Sequence, residues 1–157
     1  LIHRGVTSQK KKTVRPDPDL ADAPRLPVWF RKVEGAAESH PHGRCEVKRY
    51  DDRIALLMEG YHHIDDARRA TVNFSRYAKA IDGPFELIVD LGRLDSYARD
   101  SRLHWLPVLK EHAKSIRCLS LVGGSGLLRM TASAICLYAG LRMRTARSLK
   151  EALATPG

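Results

Sequence analysis

The stretch FELIVDLGRLDSYARDSRLHWLPVLKEHAKSIRCLSLVGGSG, residues 85–126, constrains this chain more than any other segment. It reads as strand, helix and strand in about forty residues, close to the least that can join two parallel strands, because a parallel connection must cross the sheet and return. Residues 85–90 (FELIVD) and 118–122 (CLSLV) are short, bulky and largely apolar, as strands covered on both faces should be. Each run stops at glycine, in Asp90-Leu91-Gly92 and in Gly123-Gly124-Ser125-Gly126. If the two runs lie side by side in one direction, their trailing turns share the rim where open parallel sheets bind ligands.

The flanking sequence extends this unit. Residues 45–50 alternate apolar with charged side chains, Asp51-Asp52 makes a turn, and residues 54–60 resume an apolar run, which predicts a β-hairpin. Ile64, Ala67, Thr71, Phe74, Ala78 and Ile81 recur at steps of three and four on one helical face, with Asp65 and Asp66 in the first turn and Asp82-Gly83-Pro84 as the stop. A second helix is expected from Asp100 or Ser101, either of which can cap a first-turn amide, to Lys114 or Ser115. Pro107 either kinks it or marks the first turn of a shorter helix starting near Leu106. A third helix covers residues 127–139 and closes at Gly140; residues 143–146 form a short fifth strand. The last helix, residues 148–153, has Ser148 and Glu151 in capping-box spacing. The order is ββαβαβαβα, an α/β class with a mixed sheet of about five strands.

Residues 1–44 read differently. Lys10-Lys11-Lys12 and prolines 16, 18, 24, 27 and 41 interrupt any regular period, so this part is expected to be a basic tail, disordered or loosely docked, ahead of a domain at 45–157. Trp29-Phe30 is its one aromatic pair, suited to docking on the domain or on a partner. Residues 1–49 hold eleven Lys/Arg against six Asp/Glu, residues 50–100 seven against ten, and residues 101–157 nine against two. The basic excess therefore lies at the two ends. A solvated basic surface is the simpler explanation, with nucleic acid left open as a partner. The longest nearly continuous apolar run, residues 130–141, falls short of the roughly 18 residues a membrane span needs. Leu1-Ile2-His3-Arg4 opens no apolar segment of secretory length, and Cys45, Cys118 and Cys136 make no even framework, so a reducing cytoplasmic location is the default expectation.

Glu59-Gly60 before the first helix, residues 87–91 with Gly92, residues 119–124 before a helix, and the closing run of residues 145–152 carry a resemblance. With the element order, they make the chain from about residue 45 to 154 resemble the STAS and SpoIIAA-like superfamily, the anti-sigma-factor-antagonist fold, related in fold to CRAL-TRIO lipid-binding domains. The resemblance implies a regulatory and binding module. In the antagonists an Asp-Ser pair after the central strand carries a phosphorylatable hydroxyl at a helix start. This chain has Asp95-Ser96 and Asp100-Ser101, but neither is followed by the usual small residue and Gly. Ser101, flanked by Arg99 and Arg102, is the better phosphate acceptor of the two, and an unmodified helix cap is its simpler role.

Gly123-Gly124-Ser125-Gly126 follows a strand and opens a helix, so its amides can form an anion nest with Arg129 one turn further on. The Lys-Ser/Thr of a phosphate-binding loop, the dinucleotide glycine spacing and the Gly-x-Ser-x-Gly elbow are all missing. A tight turn without ligand and a phosphate or carboxylate site both remain open. His40, His42, Cys45, His62 and His63 are soft enough for zinc, but their spacing matches no zinc template. His62, His63, His104 and His112 have no recognisable nucleophile to serve as bases, and Asp90 is suited to accepting loop amides.

These observations favour a non-enzymatic interaction module that takes a protein partner or small anionic ligand on the strand C-terminal edge. The candidate residues are Asp90, Asp95, Ser96, Tyr97, Ser101, Gly123, Gly124, Ser125, Gly126 and Arg129, with Tyr97 as interface anchor or loop packing. No metal and no cofactor are expected. The alternative is a small enzyme or a lipid or nucleotide carrier on the same scaffold. A pocket on the order of a few hundred Å³ between helices and sheet, with convergent polar groups, would favour it over the interaction module.

Overall fold

The structure, a computed structural model, describes residues 43–155. The basic tail, its Trp29-Phe30 pair, His40 and His42 lie outside the described residues. Five strands, β1 (Arg44–Tyr50), β2 (Arg53–His62), β3 (Phe85–Tyr97), β4 (Ile116–Val122) and β5 (Met143–Ala146), make one sheet in chain order. β1 and β2 form the antiparallel hairpin, closing at Tyr50 opposite Arg53. β2, β3, β4 and β5 all run parallel, with Arg53 opposite Glu86, Leu87 opposite Leu119 and Leu119 opposite Met143. The two apolar runs that frame the central unit are therefore neighbours in one direction, and the mixed α/β class read from the sequence is the one observed.

Helices α1 (Ile64–Ala80), α2 (Arg99–His112) and α3 (Gly126–Ala139) cross between successive parallel strands, and α4 (Leu149–Ala154) follows the last. Strands laid down in chain order with crossovers of one hand place every crossover helix on the same face. Accordingly Leu56, Leu87, Leu119 and Leu121 share one core with Phe74 of α1, Trp105 and Leu109 of α2 and Leu128 of α3. The alternate residues Ala55, Ile88 and Val122 turn to the other face, where Ala152 of α4 covers them. Phe74 is wholly buried and meets Phe85 and Trp105 edge-on at about 6 Å between ring centres.

A polar row runs across the α4 face. Glu86, 0% exposed, accepts Ser120 Oγ–H at 2.6 Å and pairs with Arg144 and with Arg53 Nε at 3.3 Å. Arg53 donates to the Leu153 carbonyl, and Arg144 donates to the Thr155 carbonyl at 3.0 Å. Two guanidiniums thus sit at the carbonyl end of α4, where the helix dipole favours positive charge, and Glu86 holds both from beneath.

Three boundaries depart from the sequence reading. β3 does not stop at Asp90 but continues to Tyr97, staying paired with β2 across two register shifts while β4 leaves at Asp90 opposite Val122. α2 is capped by the backbone of Ala98 and not by Asp100 or Ser101; Ser101 is its third residue. Pro107 sits inside α2 on an exposed position, one turn after the exposed Leu103, so the carbonyl it leaves without a donor is on the solvent side.

Candidate functional site

Where β4 departs from β3, the backbone is close-packed. Gly123 and Gly124 adopt φ of 63° and 88°, and a Cβ on Gly123 would stand 2.9 Å from the Gly92 Cα. These glycines let the strand turn away without lifting off its neighbour. Asp90 Oδ1 accepts the Gly92 amide at 2.9 Å, the loop-amide role its position suggests. Ser125 caps α3 through the Leu128 amide at 3.3 Å, Gly126 begins that helix, and the stem of the exposed Arg129 lies beside Gly124. Asp90, the Gly123–Gly126 turn and Arg129 thus share a rim.

The other candidate residues lie elsewhere. Asp95 is exposed and Ser96 is paired with Tyr61 inside β3. Tyr97 does not project as an anchor: it is half-buried, and its hydroxyl lies 3.0 Å from Thr131 Oγ1, tying the end of β3 to α3. Ser101 is 0% exposed and its hydroxyl donates to the Ala98 carbonyl at 2.7 Å, so a kinase would reach it only after α2 opened. The phosphoacceptor role that suits Ser101 in the sequence does not suit its place in the fold.

Tyr97 and Ser101 instead contribute to a cavity of about 100 Å³ between the sheet and the α2–α3 layer. Its walls are chiefly apolar, with Leu56, Leu87, Leu91 and Leu121 from the strands and Trp105 and Ile135 from the helices. His62, Tyr97, Ser101, Arg102 and Thr131 also stand along it, but the surface the cavity presents is almost wholly hydrocarbon. His62, the last residue of β2, is 4% exposed and its Nε2 accepts the Trp105 indole N–H at 3.0 Å. Burial pulls its pKa down to about 4, outweighing the Asp66 carboxylate, which favours protonation. The ring is therefore neutral at neutral pH. Arg102 is 6% exposed, an uncommon degree of burial for a guanidinium.

In the sequence His62 suggests only a base or a zinc ligand, and no motif singles out Trp105 or Thr131. One local signal marks the site: the inward stripe of α2, Ser101, Arg102, Trp105 and Leu109, carries a hydroxyl and a cation where an ordinary core stripe would be apolar.

The remaining chemistry is muted. The Cys45 thiol is pushed up to about 12 by burial and by Asp66, and that of Cys136 to about 11 by burial, so neither is a ready nucleophile. Asp66 accepts the His63 amide at 3.1 Å and pairs with Arg69 at 2.6 Å. His104 Nε2 lies 2.9 Å from Thr71 Oγ1, joining α2 to α1. Among the described residues, no group of three or more His, Cys, Asp or Glu is placed to hold a metal ion. No helix among them is long and apolar enough to cross a membrane.

No protein-family model matches the chain, and no curated protein does. Among solved structures, an uncharacterized protein of the DUF3478 family with a SpoIIAA-like fold, from Shewanella loihica PV-4, superimposes with a TM-score of 0.58. It is 15% identical in sequence, and the match covers 76% of this chain and 97% of the other.

Proposed function

We propose that this SpoIIAA-like domain is a non-enzymatic binding module whose ligand is a small, largely apolar molecule held between the sheet and α2–α3. The observation that carries the reading is the cavity itself. Protein interiors pack to crystal density, so a partly open apolar hollow of about 100 Å³ left between the sheet and its helices is a feature to explain. An engineered void of about 150 Å³ takes up benzene, so an occupant no larger than benzene, or the leading part of a longer one, suits this space. The space is smaller than the pocket expected of a carrier, and its surface lacks the convergent polar groups. It therefore supports ligand binding and lends no support to a reaction.

The test is uptake of benzene by the full chain, followed by amide chemical shifts and thermal stability. Saturable shifts confined to the cavity-lining residues of β2, β3, β4, α2 and α3 are expected. Ala132→Leu, which adds volume at the wall, should abolish them without unfolding the protein. Absence of saturable uptake in the parent refutes the reading.

A second reading, a protein partner at the rim, is favoured by Leu127 and Met130, which are 45% and 49% exposed beside Arg129. It expects a partner captured by the parent to be lost on Leu127→Asp or Arg129→Glu, while benzene uptake persists. A captured partner that both variants retain refutes it.

A further inference from the structure

Resting on the second reading above, that this surface takes a protein, we infer that the partner is a second copy of this chain. The outward face of α3 is the interface of a two-fold symmetric dimer in which the two α3 helices lie antiparallel.

The inference starts from a helix that lacks a polar side. A surface helix ordinarily buries one stripe and gives charged residues to solvent, as α1 does with Arg68, Arg69, Arg76 and Lys79. α3 buries Leu128, Thr131, Cys136 and Ala139, yet its other side carries Leu127, Met130, Ala134 and Leu137 at steps of three and four. Leu127, Met130 and Leu137 are 45%, 49% and 84% exposed, and Arg129 is the one charged residue of the helix. An apolar stripe at that spacing is the seam along which two helices pair.

The register of the stripe fits its own copy. Met130 and Leu137 stand equally far, about 5 Å along the helix, on either side of the point between Ser133 and Ala134. A two-fold axis through that point sets Met130 of each copy against Leu137 of the other. It also sets Leu127 against Gly140, where a Cβ would meet nothing within 4 Å, so the leucine has room. Ser133 and Ala134, at the crossing point, are small enough for the helix axes to approach closely. The Ser133 hydroxyl already donates to the Arg129 carbonyl at 2.8 Å, so it brings no unmet donor to the interface.

Charge selects the same partner. α3 has no acidic residue in its first turn and no basic residue in its last, so its dipole is not offset by its own side chains. Arg129, the fourth residue, lies near the positive end of its own helix. The antiparallel copy brings it level with the last turn of the other helix, where the carbonyls favour a cation. Arg142 alternates with Leu141 and Met143, which belong to the helix-bearing face of the sheet, and Arg144 is held by Glu86 on the opposite face. Both therefore turn away from the seam. An acidic helix or an anionic membrane would call for several cations along the stripe, and the outward face of α3 supplies one.

The experiment follows sedimentation of the full chain from low to high micromolar concentration, and a reversible monomer–dimer equilibrium is expected. Leu137→Asp should raise the dimer dissociation constant at least about a hundredfold, because each copy of the change costs about tenfold and a symmetric dimer counts it twice. Arg129→Glu should also weaken the dimer, yet leave the dilute monomer as stable as the parent, since a carboxylate suits the first turns of its own helix. Val72→Asp, on an apolar residue of α1 that is 68% exposed, should leave the dimer unchanged. In an equal mixture, Met130→Cys and Leu137→Cys chains should cross-link to each other under mild oxidation faster than either does to itself. A dimer that Leu137→Asp leaves intact, or cross-linking faster within one variant than between the two, overturns the inference. So does a chain that stays monomeric throughout. A monomeric chain that captures a different protein, and loses it on Leu127→Asp, overturns the inference and leaves the second reading standing.

Discussion

Stability in acid should depend on His62. In the folded protein burial keeps the imidazole neutral down to about 4, with Asp66 working against that and His63 slightly for it, whereas in an unfolded chain it titrates near its ordinary 6.5. Between those two values the unfolded chain binds the proton more readily. Stability therefore rises with pH across the window and is lost as pH falls from about 6.5 toward 4. Between about pH 7.5 and about pH 4.5 this one group should remove about 2.5 kcal/mol, or about 10 °C of Tm for a domain of this size. Other groups titrate in the same range, so the informative quantity is the difference between the parent and His62→Gln. Urea unfolding of both across that range should give a parent curve steeper by about 2.5 kcal/mol in total, with the two proteins converging in acid. Parallel curves would refute the reasoning, since they require an imidazole that already titrates in the fold as it does in solvent.

Three other outcomes follow from single contacts. Glu86→Gln leaves two guanidiniums, 20% and 26% exposed, facing a neutral amide, and should cost about 3 kcal/mol, near the low end for breaking a buried ion pair; a loss under about 1 kcal/mol in urea unfolding would show that the row is not a paired network. Gly123→Ala meets both a positive φ and the Gly92 backbone, and is expected to lower stability by at least about 2 kcal/mol, whereas Gly126→Ala, with open space around it, should be nearly neutral in the same assay. Phe74→Ala removes the ring against which Phe85 and Trp105 pack and should cost about 3–5 kcal/mol by thermal or urea unfolding, more than the exposed Val72→Ala.

Local chemistry was enough to read most of the elements. The three-and-four spacing of Ala67, Thr71, Phe74 and Ala78 marks the buried face of α1, Gly140 ends α3 in a left-handed cap, and Ser148 accepts the Glu151 amide at the start of α4. The central strand–helix–strand unit is equally local, because bulky runs and glycine stops act within a few residues. The length of β3 was not legible. Asp90-Leu91-Gly92 looks like the end of a strand, and it is the end only for pairing with β4; β2 keeps β3 extended to Tyr97. Whether a glycine stops a strand is decided by the neighbour that still offers hydrogen bonds.

From order and periodicity alone, the chain settled its class, its hairpin and the parallel pair at its centre, since each depends on side chains within a turn or a strand of one another. Tertiary structure decided which polar residues meet. His62 ends β2, Arg102 is the fourth residue of α2 and Thr131 lies on α3, separated by many residues along the chain and brought to one cavity only because the crossover helices pack on the same face. The tautomer that a distant indole fixes at His62 arises from packing between elements, and no pattern within one element encodes it.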